Sequence, residues 1–135
     1  MSLADQIRLT PTASEVSRFD QKCAESRIEK TLATDLKLCI NEVLANLISY
    51  GFKNTANPWM MVKIRLETGR ASAKILDNGE YFDLREWERP ADRDLTTSEP
   101  GGYGILLIKE RASRIRYARF CGLNRLKIVC EAANP

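Results

Sequence analysis

The feature that most limits what this chain can fold into is a change of hydrophobic period just after Pro58. Upstream, Leu36, Ile40, Val43, Leu44, Leu47 and Ile48 recur at helical spacing. Downstream, Met60, Val62, Ile64 and Leu66 alternate with Met61, Lys63, Arg65 and Glu67, the two-residue period of a half-buried strand. An amphipathic helix and a one-sided strand each need a partner layer, so a two-layer α/β sandwich is expected.

The remaining elements follow from local signals. A short strand is expected over Gln6 to Thr10. Thr12-Ala13-Ser14-Glu15 then has the spacing of a capping box and predicts a helix over about 13–30. The helix with the clear apolar stripe is expected to start at Thr34-Asp35, an N-cap followed by a carboxylate on the positive end of the dipole, with Gly51 near its end. After the turn-like Asn54–Pro58 come the strand from Met60 to Glu67, a tight Thr68-Gly69-Arg70 connection and a strand from Ala71 to Leu76, an antiparallel hairpin. Another helix should start at about Gly104. Strands over Arg114 to Phe120 and Arg125 to Glu131, joined by Cys121-Gly122-Leu123-Asn124, close the chain. The expectation is a mixed, mainly antiparallel sheet of about five strands with three helices on one face. Residues 78–103 show little periodicity, and a connection that long inside a compact domain points to a functional lid.

Composition narrows the chemistry. At 135 residues the chain is expected to be one domain over 1–135. It has no histidine, which removes the Ser-His-Asp triad, the Cys-His dyad and nearly every ordinary zinc site. Any base must be a carboxylate, Lys, Tyr or Cys. Cys23, Cys39, Cys121 and Cys130 form no CxxC pair and read as reduced, packed thiols. A net charge of +3 is too small for a nucleic-acid binder, and Arg111, Arg114, Arg116 and Arg119 read as the solvated edge of a helix–strand junction. The longest apolar stretches, such as Ile105–Ile108, are far short of the ~20 residues that cross a bilayer, and the amino terminus lacks a signal-peptide pattern. The expectation is a cytoplasmic chain with no membrane and no direct nucleic-acid partner.

Three places carry chemistry. Glu42 and Asn46, four residues apart, share a helix face nearly opposite the Ile40/Val43/Leu47 stripe. That face is either simply solvated, or a carboxylate able to act as a base beside an amide oxygen suited to a hard cation. The apolar run into Asp77-Asn78-Gly79 sets a carboxylate at a strand terminus, where it makes an ordinary turn or accepts from an exocyclic amine such as that of adenine. Gly101-Gly102-Tyr103-Gly104 opens a helix, serving either as a hinge or as a phosphate cradle at the helix amino terminus.

Taken in order, Glu-x-x-x-Asn on a helix, Asp-x-Gly after a strand, a long loop and Gly-x-Gly opening a helix resemble the GHKL ATP-binding superfamily. Leu38-Cys39-Ile40-Asn41-Glu42-Val43-Leu44-Ala45-Asn46 looks like its N-box. The small size and the tail Ile115-Arg116-Tyr117 … Gly122-Leu123-Asn124-Arg125-Leu126 resemble the stand-alone anti-sigma-factor serine kinases of bacteria, from about Gln6 to Glu131. The resemblance implies a Bergerat-type ATP-binding fold and an ATP- and Mg²⁺-dependent serine-protein kinase. By it, Glu42 is the base, Asn46 holds Mg²⁺, Asp77 binds the adenine amine and Gly79 makes room for the ring. Gly101, Gly102 and Gly104 cradle the phosphates under a lid over about 84–100. It also implies a sigma factor and an antagonist protein as partners, and a homodimer. A catalytically inactive nucleotide-binding switch is the alternative. Three positions depart from the family pattern. Tyr50 stands where many relatives carry histidine, and Tyr81 stands where a small residue or proline is common, crowding the adenine side. Glu99-Pro100 replaces a basic residue, leaving the terminal phosphate to Lys109 or an arginine of the lid.

Overall fold

The computed structural model describes residues 3–9, 30–87 and 102–132. Its elements are β1 (Leu3–Leu9), α1 (Lys30–Asn46) running into a π-helical turn (Leu47–Gly51), β2 (Met60–Glu67), β3 (Arg70–Asp77), α2 (Gly102–Arg111), β4 (Arg114–Phe120) and β5 (Leu123–Glu131). The expected helix over residues 13–29, Cys23, Gly101 and the lid beyond Trp87 lie outside the described residues.

The five strands form one sheet in the order β1-β2-β3-β5-β4. All four described pairings are antiparallel, so the mixed character expected of the sheet does not occur among them. Both described helices lie on one face. α1 packs across β3 and β5 and against α2. The two-layer α/β architecture of the expectation is therefore present.

The inner face is built by alternation. Met60, Val62 and Ile64 of β2, Ala71, Ala73 and Ile75 of β3, and Leu126, Ile128 and Cys130 of β5 are buried. They meet Leu36, Cys39, Ile40, Val43 and Leu44 of α1 and Ile105 and Ile108 of α2 in one apolar cluster. The alanines at 71 and 73 sit where α1 crosses β3, and small side chains let a helix approach a sheet closely.

Several boundaries differ from the sequence expectation. α1 begins four residues before Thr34, because Leu32 is buried in phase with Leu36 and extends the stripe by a turn. Asp35 is thus inside the helix, where its carboxylate accepts from Arg111 Nη1 at 3.3 Å and ties α1 to the end of α2. β1 starts at Leu3 and ends before Thr10, while α2 starts at Gly102 rather than Gly104. β5 starts at Leu123, because the β4–β5 turn is only two residues long. Cys121 and Gly122 both have positive φ, 49° and 74°, the signature of a type I′ hairpin. Cys121 is exposed in that turn, unlike the buried Cys39 and Cys130, so it is not the packed thiol that was expected. Among the described residues no helix is long and apolar enough to cross a membrane.

Candidate functional site

Along the inner face, β3 and β5 present apolar couples, Ala71/Cys130, Ala73/Ile128 and Ile75/Leu126, and then a polar one, Asp77/Asn124. Arg119 of β4 stands opposite Asn124 in the same row. A carboxylate and an amide that continue an apolar row are buried by the register itself. Asp77 is 5% exposed and Asn124 4%.

Asn124 organises this end of the sheet. Its Nδ2 donates to Asp77 Oδ1 at 2.9 Å and to the carbonyls of Glu80 and Gly79 at 2.8 and 3.3 Å. Its Oδ1 accepts from Arg119 Nη1 at 2.9 Å and from the Tyr117 hydroxyl. Two donors on one side and acceptors on the other leave the amide a single orientation. Asp77 Oδ1 also accepts the Gly79 amide at 2.8 Å, whereas Oδ2 accepts nothing among the described residues. Burial raises the Asp77 pKa above the usual carboxylate range, opposed by the hydrogen bonds from Asn124 and the Gly79 amide and by the Arg119 charge. The result is a desolvated acceptor with one oxygen fixed and the other open to an external donor.

The Asp77-Asn78-Gly79 segment is more than an isolated turn. Asn78 exchanges hydrogen bonds with the approach to β2, accepting from the Trp59 amide at 2.8 Å and donating to the Asn57 carbonyl at 3.2 Å. A Cβ at Gly79 would lie 2.7 Å from the carbonyl oxygen of Gly51, and the Glu80 amide donates to that same oxygen at 3.0 Å. Glycine at 79 therefore lets the strand terminus close on the π-helical turn that follows Asn46. The resemblance gave Gly79 to the adenine ring; the room it makes in this structure is for Gly51.

Glu42 is half-buried on α1, and a methyl group at Gly104 would collide with its carboxylate. The first turn of α2 thus closes directly over Glu42. At Glu42 this side of α1 is partly covered by the first turn of α2, so it is not a freely solvated face. A helix amino terminus has free amides and a positive end of the dipole, so a carboxylate beside it is stabilised. Asn46 is the last residue of α1, one turn beyond Glu42, and leads into the turn that meets Gly79. Glu42, Gly104 and Asn46 are therefore one neighbourhood, joined through Gly51 to Gly79 and Asp77. Gly102 is the first residue of α2.

The positions that depart from the family pattern have definite environments. Tyr81 is 56% exposed, with its ring edge-on to Tyr117 at 5.7 Å between centroids and its hydroxyl donating to Glu86 at 3.3 Å. Tyr50 is exposed on the π-helical turn. Lys109, expected to serve a phosphate, is in the last turn of α2, the end away from the glycines. Its ammonium donates to the carbonyls of Trp87 and Arg85 at 2.7 and 3.4 Å. Arg85 forks onto Asp83, with Nη2 at 2.8 Å from Oδ2 and Nε at 3.0 Å from Oδ1. With Leu84 buried and Trp87 packed on the core, the start of the supposed lid is strapped to the body.

The residues that sequence reasoning missed are Asn124 and Arg119. Local signals put Asn124 in a connecting turn and Arg119 on a solvated edge. The available signal was parity, since Asn124 shares its phase with Leu126 and Ile128, and an amide at an inward strand position is rarely idle.

Comparisons with known proteins bear on the family and the fold. The family model described as "Histidine kinase-like ATPase domain" matches residues 5–129. The chain is 26% identical over 137 aligned residues to the serine/threonine-protein kinase BtrW of Bordetella bronchiseptica, covering 98% of this chain and 96% of that one. Among solved structures, it is similar to the histidine kinase domain of a blue-light-activated histidine kinase from Erythrobacter litoralis, with a TM-score of 0.53 and 15% identity. That match covers 87% of this chain and 58% of the other, and shows a shared fold. With most of its length matched by one family, the chain belongs to the histidine-kinase-like ATPase domains and is by that membership a nucleotide-binding, kinase-like domain.

Proposed function

We propose that this chain is an ATP- and Mg²⁺-dependent serine-protein kinase that also acts as an anti-sigma regulatory factor, holding a sigma factor and phosphorylating an antagonist protein on serine. The observation that carries the reading is the closure of the α2 amino terminus over Glu42, which sets a candidate base beside a candidate phosphate cradle. The similarity to BtrW, a serine/threonine-protein kinase, supports it.

In this reading Asp77 Oδ2 accepts the exocyclic amine of adenine, with the carboxylate held in place by Asn124 and the Gly79 amide. Gly101, Gly102 and Gly104 bring backbone amides to the phosphates. The Asn46 amide oxygen is a hard donor suited to Mg²⁺, which prefers one or two protein ligands plus phosphate oxygens. When bound, the ion would neutralise phosphate charge. Glu42 takes the proton of the acceptor serine hydroxyl. The serine oxygen bonds to the γ-phosphorus, the bond from that phosphorus to the β–γ bridging oxygen breaks, and ADP leaves.

The test is calorimetry with ATP and Mg²⁺ followed by transfer to a candidate antagonist. Glu42→Ala is expected to abolish labelling of the antagonist serine while leaving nucleotide affinity within a few fold. Absence of ATP binding by the unaltered chain would sink the reading. A second reading, a nucleotide-binding protein switch without transfer, is favoured by one observation: Lys109 and Arg85, candidates to offset the missing basic residue, are engaged elsewhere. ATP binding with no labelled partner would select it.

A further inference from the structure

The sheet face turned away from the helices carries an unusual row. By register, Lys63, Lys74, Lys127 and Arg116 stand side by side on β2, β3, β5 and β4. With strands ~4.8 Å apart the row spans roughly 14 Å. Arg65 lies in the next row on one side and Arg125 in the next on the other. Among the described strands, the carboxylates on this face, Glu67 and Glu131, are both at one end. Glu131 is engaged by Arg114 at 2.8 Å and by Arg70 at 3.9 Å, and Glu67 by Arg65 at 3.7 Å.

Like charges directly opposite one another across a sheet are destabilising, so this row is a cost to folding that no ion pair among the described residues offsets. Burial among its neighbours lowers the Lys127 pKa, and Lys74, Arg70, Arg116 and Arg65 push it further the same way. Half-buried Met61 and Leu76 pair beside the row and give the face an apolar strip.

We propose that this face is a docking surface for an acidic, amphipathic protein segment, its carboxylates meeting the Lys63–Lys74–Lys127–Arg116 row and its apolar side chains meeting Met61 and Leu76. Charge complementarity selects a polyanion, and two observations select protein over nucleic acid. Base stacking needs aromatic rings, and among the described strands the one on this face is Phe120, at its corner, with the Arg125 guanidinium 5.8 Å from its ring centre. The apolar strip would be idle under a phosphate backbone. The face is on the opposite side of the sheet from Asp77, so the proposal stands apart from the nucleotide reading.

The test uses the full chain and a fluorescein-labelled peptide rich in glutamate and leucine, with a thymidine oligonucleotide and phosphatidylserine vesicles run in parallel. The peptide is expected to bind in a salt-sensitive manner. The double variant Lys74→Glu/Lys127→Glu is expected to lose about tenfold or more of that affinity, with an unchanged or higher melting temperature and unchanged ATP affinity. If reversal impairs folding, Lys74→Gln/Lys127→Gln removes the charge more gently and should show a smaller loss in the same direction. Three results would overturn the proposal: no peptide binding, peptide binding indifferent to the charge-removing variants, or oligonucleotide or vesicles binding more tightly than the peptide through the same lysines.

Discussion

The side-chain amide of Asn124 donates to the carboxylate of Asp77 at 2.9 Å across the β3–β5 ladder, joining residues 47 apart in sequence. Through that bond the carboxylate proposed to recognise adenine is oriented by the last strand of the sheet. Asn124→Leu would strip partners from Asp77, from the Glu80 carbonyl and from Arg119 at once. The expected cost is about 2–4 kcal/mol, read from the urea midpoint, with a parallel loss of nucleotide affinity. A change of less than ~0.5 kcal/mol would show that the network does not hold the site.

Asp77→Asn keeps the shape and removes the charge. An amide can still accept from Gly79 through its oxygen, but it then turns an NH₂ toward the place where an exocyclic amine would sit. ATP affinity is expected to fall at least about tenfold by calorimetry, the worth of one hydrogen bond turned into a clash of donors. Equal affinity would remove Asp77 from the nucleotide site.

Gly104→Ala sets a methyl group against the Glu42 carboxylate. The expected penalty is about 1–3 kcal/mol, as for overpacking elsewhere. Because the clash is with a side chain, Glu42→Ala in the same chain should recover most of the stability and none of the transfer. A double-mutant cycle in thermal denaturation measures that coupling, and additive effects would place the two residues apart.

Acid should loosen the segment 83–87 by a definite route. Arg85, through its side-chain hydrogen bonds, holds the Asp83 carboxyl below the usual carboxylate range. A lowered folded pKa contributes stability that is fully present above the unfolded value, about 3.9, and is lost as pH falls through the folded value. Asp77, whose pKa is raised by burial, acts in the opposite sense, its protonation relieving a cost as pH falls. Asp83→Asn should therefore flatten the acid limb of a stability–pH curve, whereas a limb of unchanged slope would assign the acid sensitivity to other groups.

Cys121 adopts φ of 49° in a hairpin turn whose geometry favours Asn-Gly. Cys121→Asn is expected to stabilise the chain by about 0.5–1 kcal/mol, read as a higher denaturant midpoint. A destabilised variant would mean that the thiol makes a contribution its exposure does not suggest.

The elements with the strongest period were legible from residues alone. β2 runs from Met60 to Glu67 and β4 from Arg114 to Phe120, as alternation and turn residues indicate. The start of α1 is not legible locally, because Thr34 looks like a cap while the burial of Leu32 decides where the helix begins. Spacing and resemblance propose Glu42, Asn46, Asp77, Gly79 and the glycine run as candidate site residues. They do not propose the neighbours of these residues. Proximity in the chain groups Arg119 with Arg114 and Arg116, yet strand parity sends it to the inner face and Arg116 to the outer.

The sequence by itself determined the described elements, their order and the residue types available for chemistry, since period, caps and turns are local properties of a backbone. Tertiary structure alone decided that Asn124 grips Asp77, that Gly104 closes on Glu42, that Gly79 yields to Gly51 and that four cations align across four strands. Each of these depends on cross-strand register or on helix packing, and so on contacts between distant parts of the chain that no local pattern encodes.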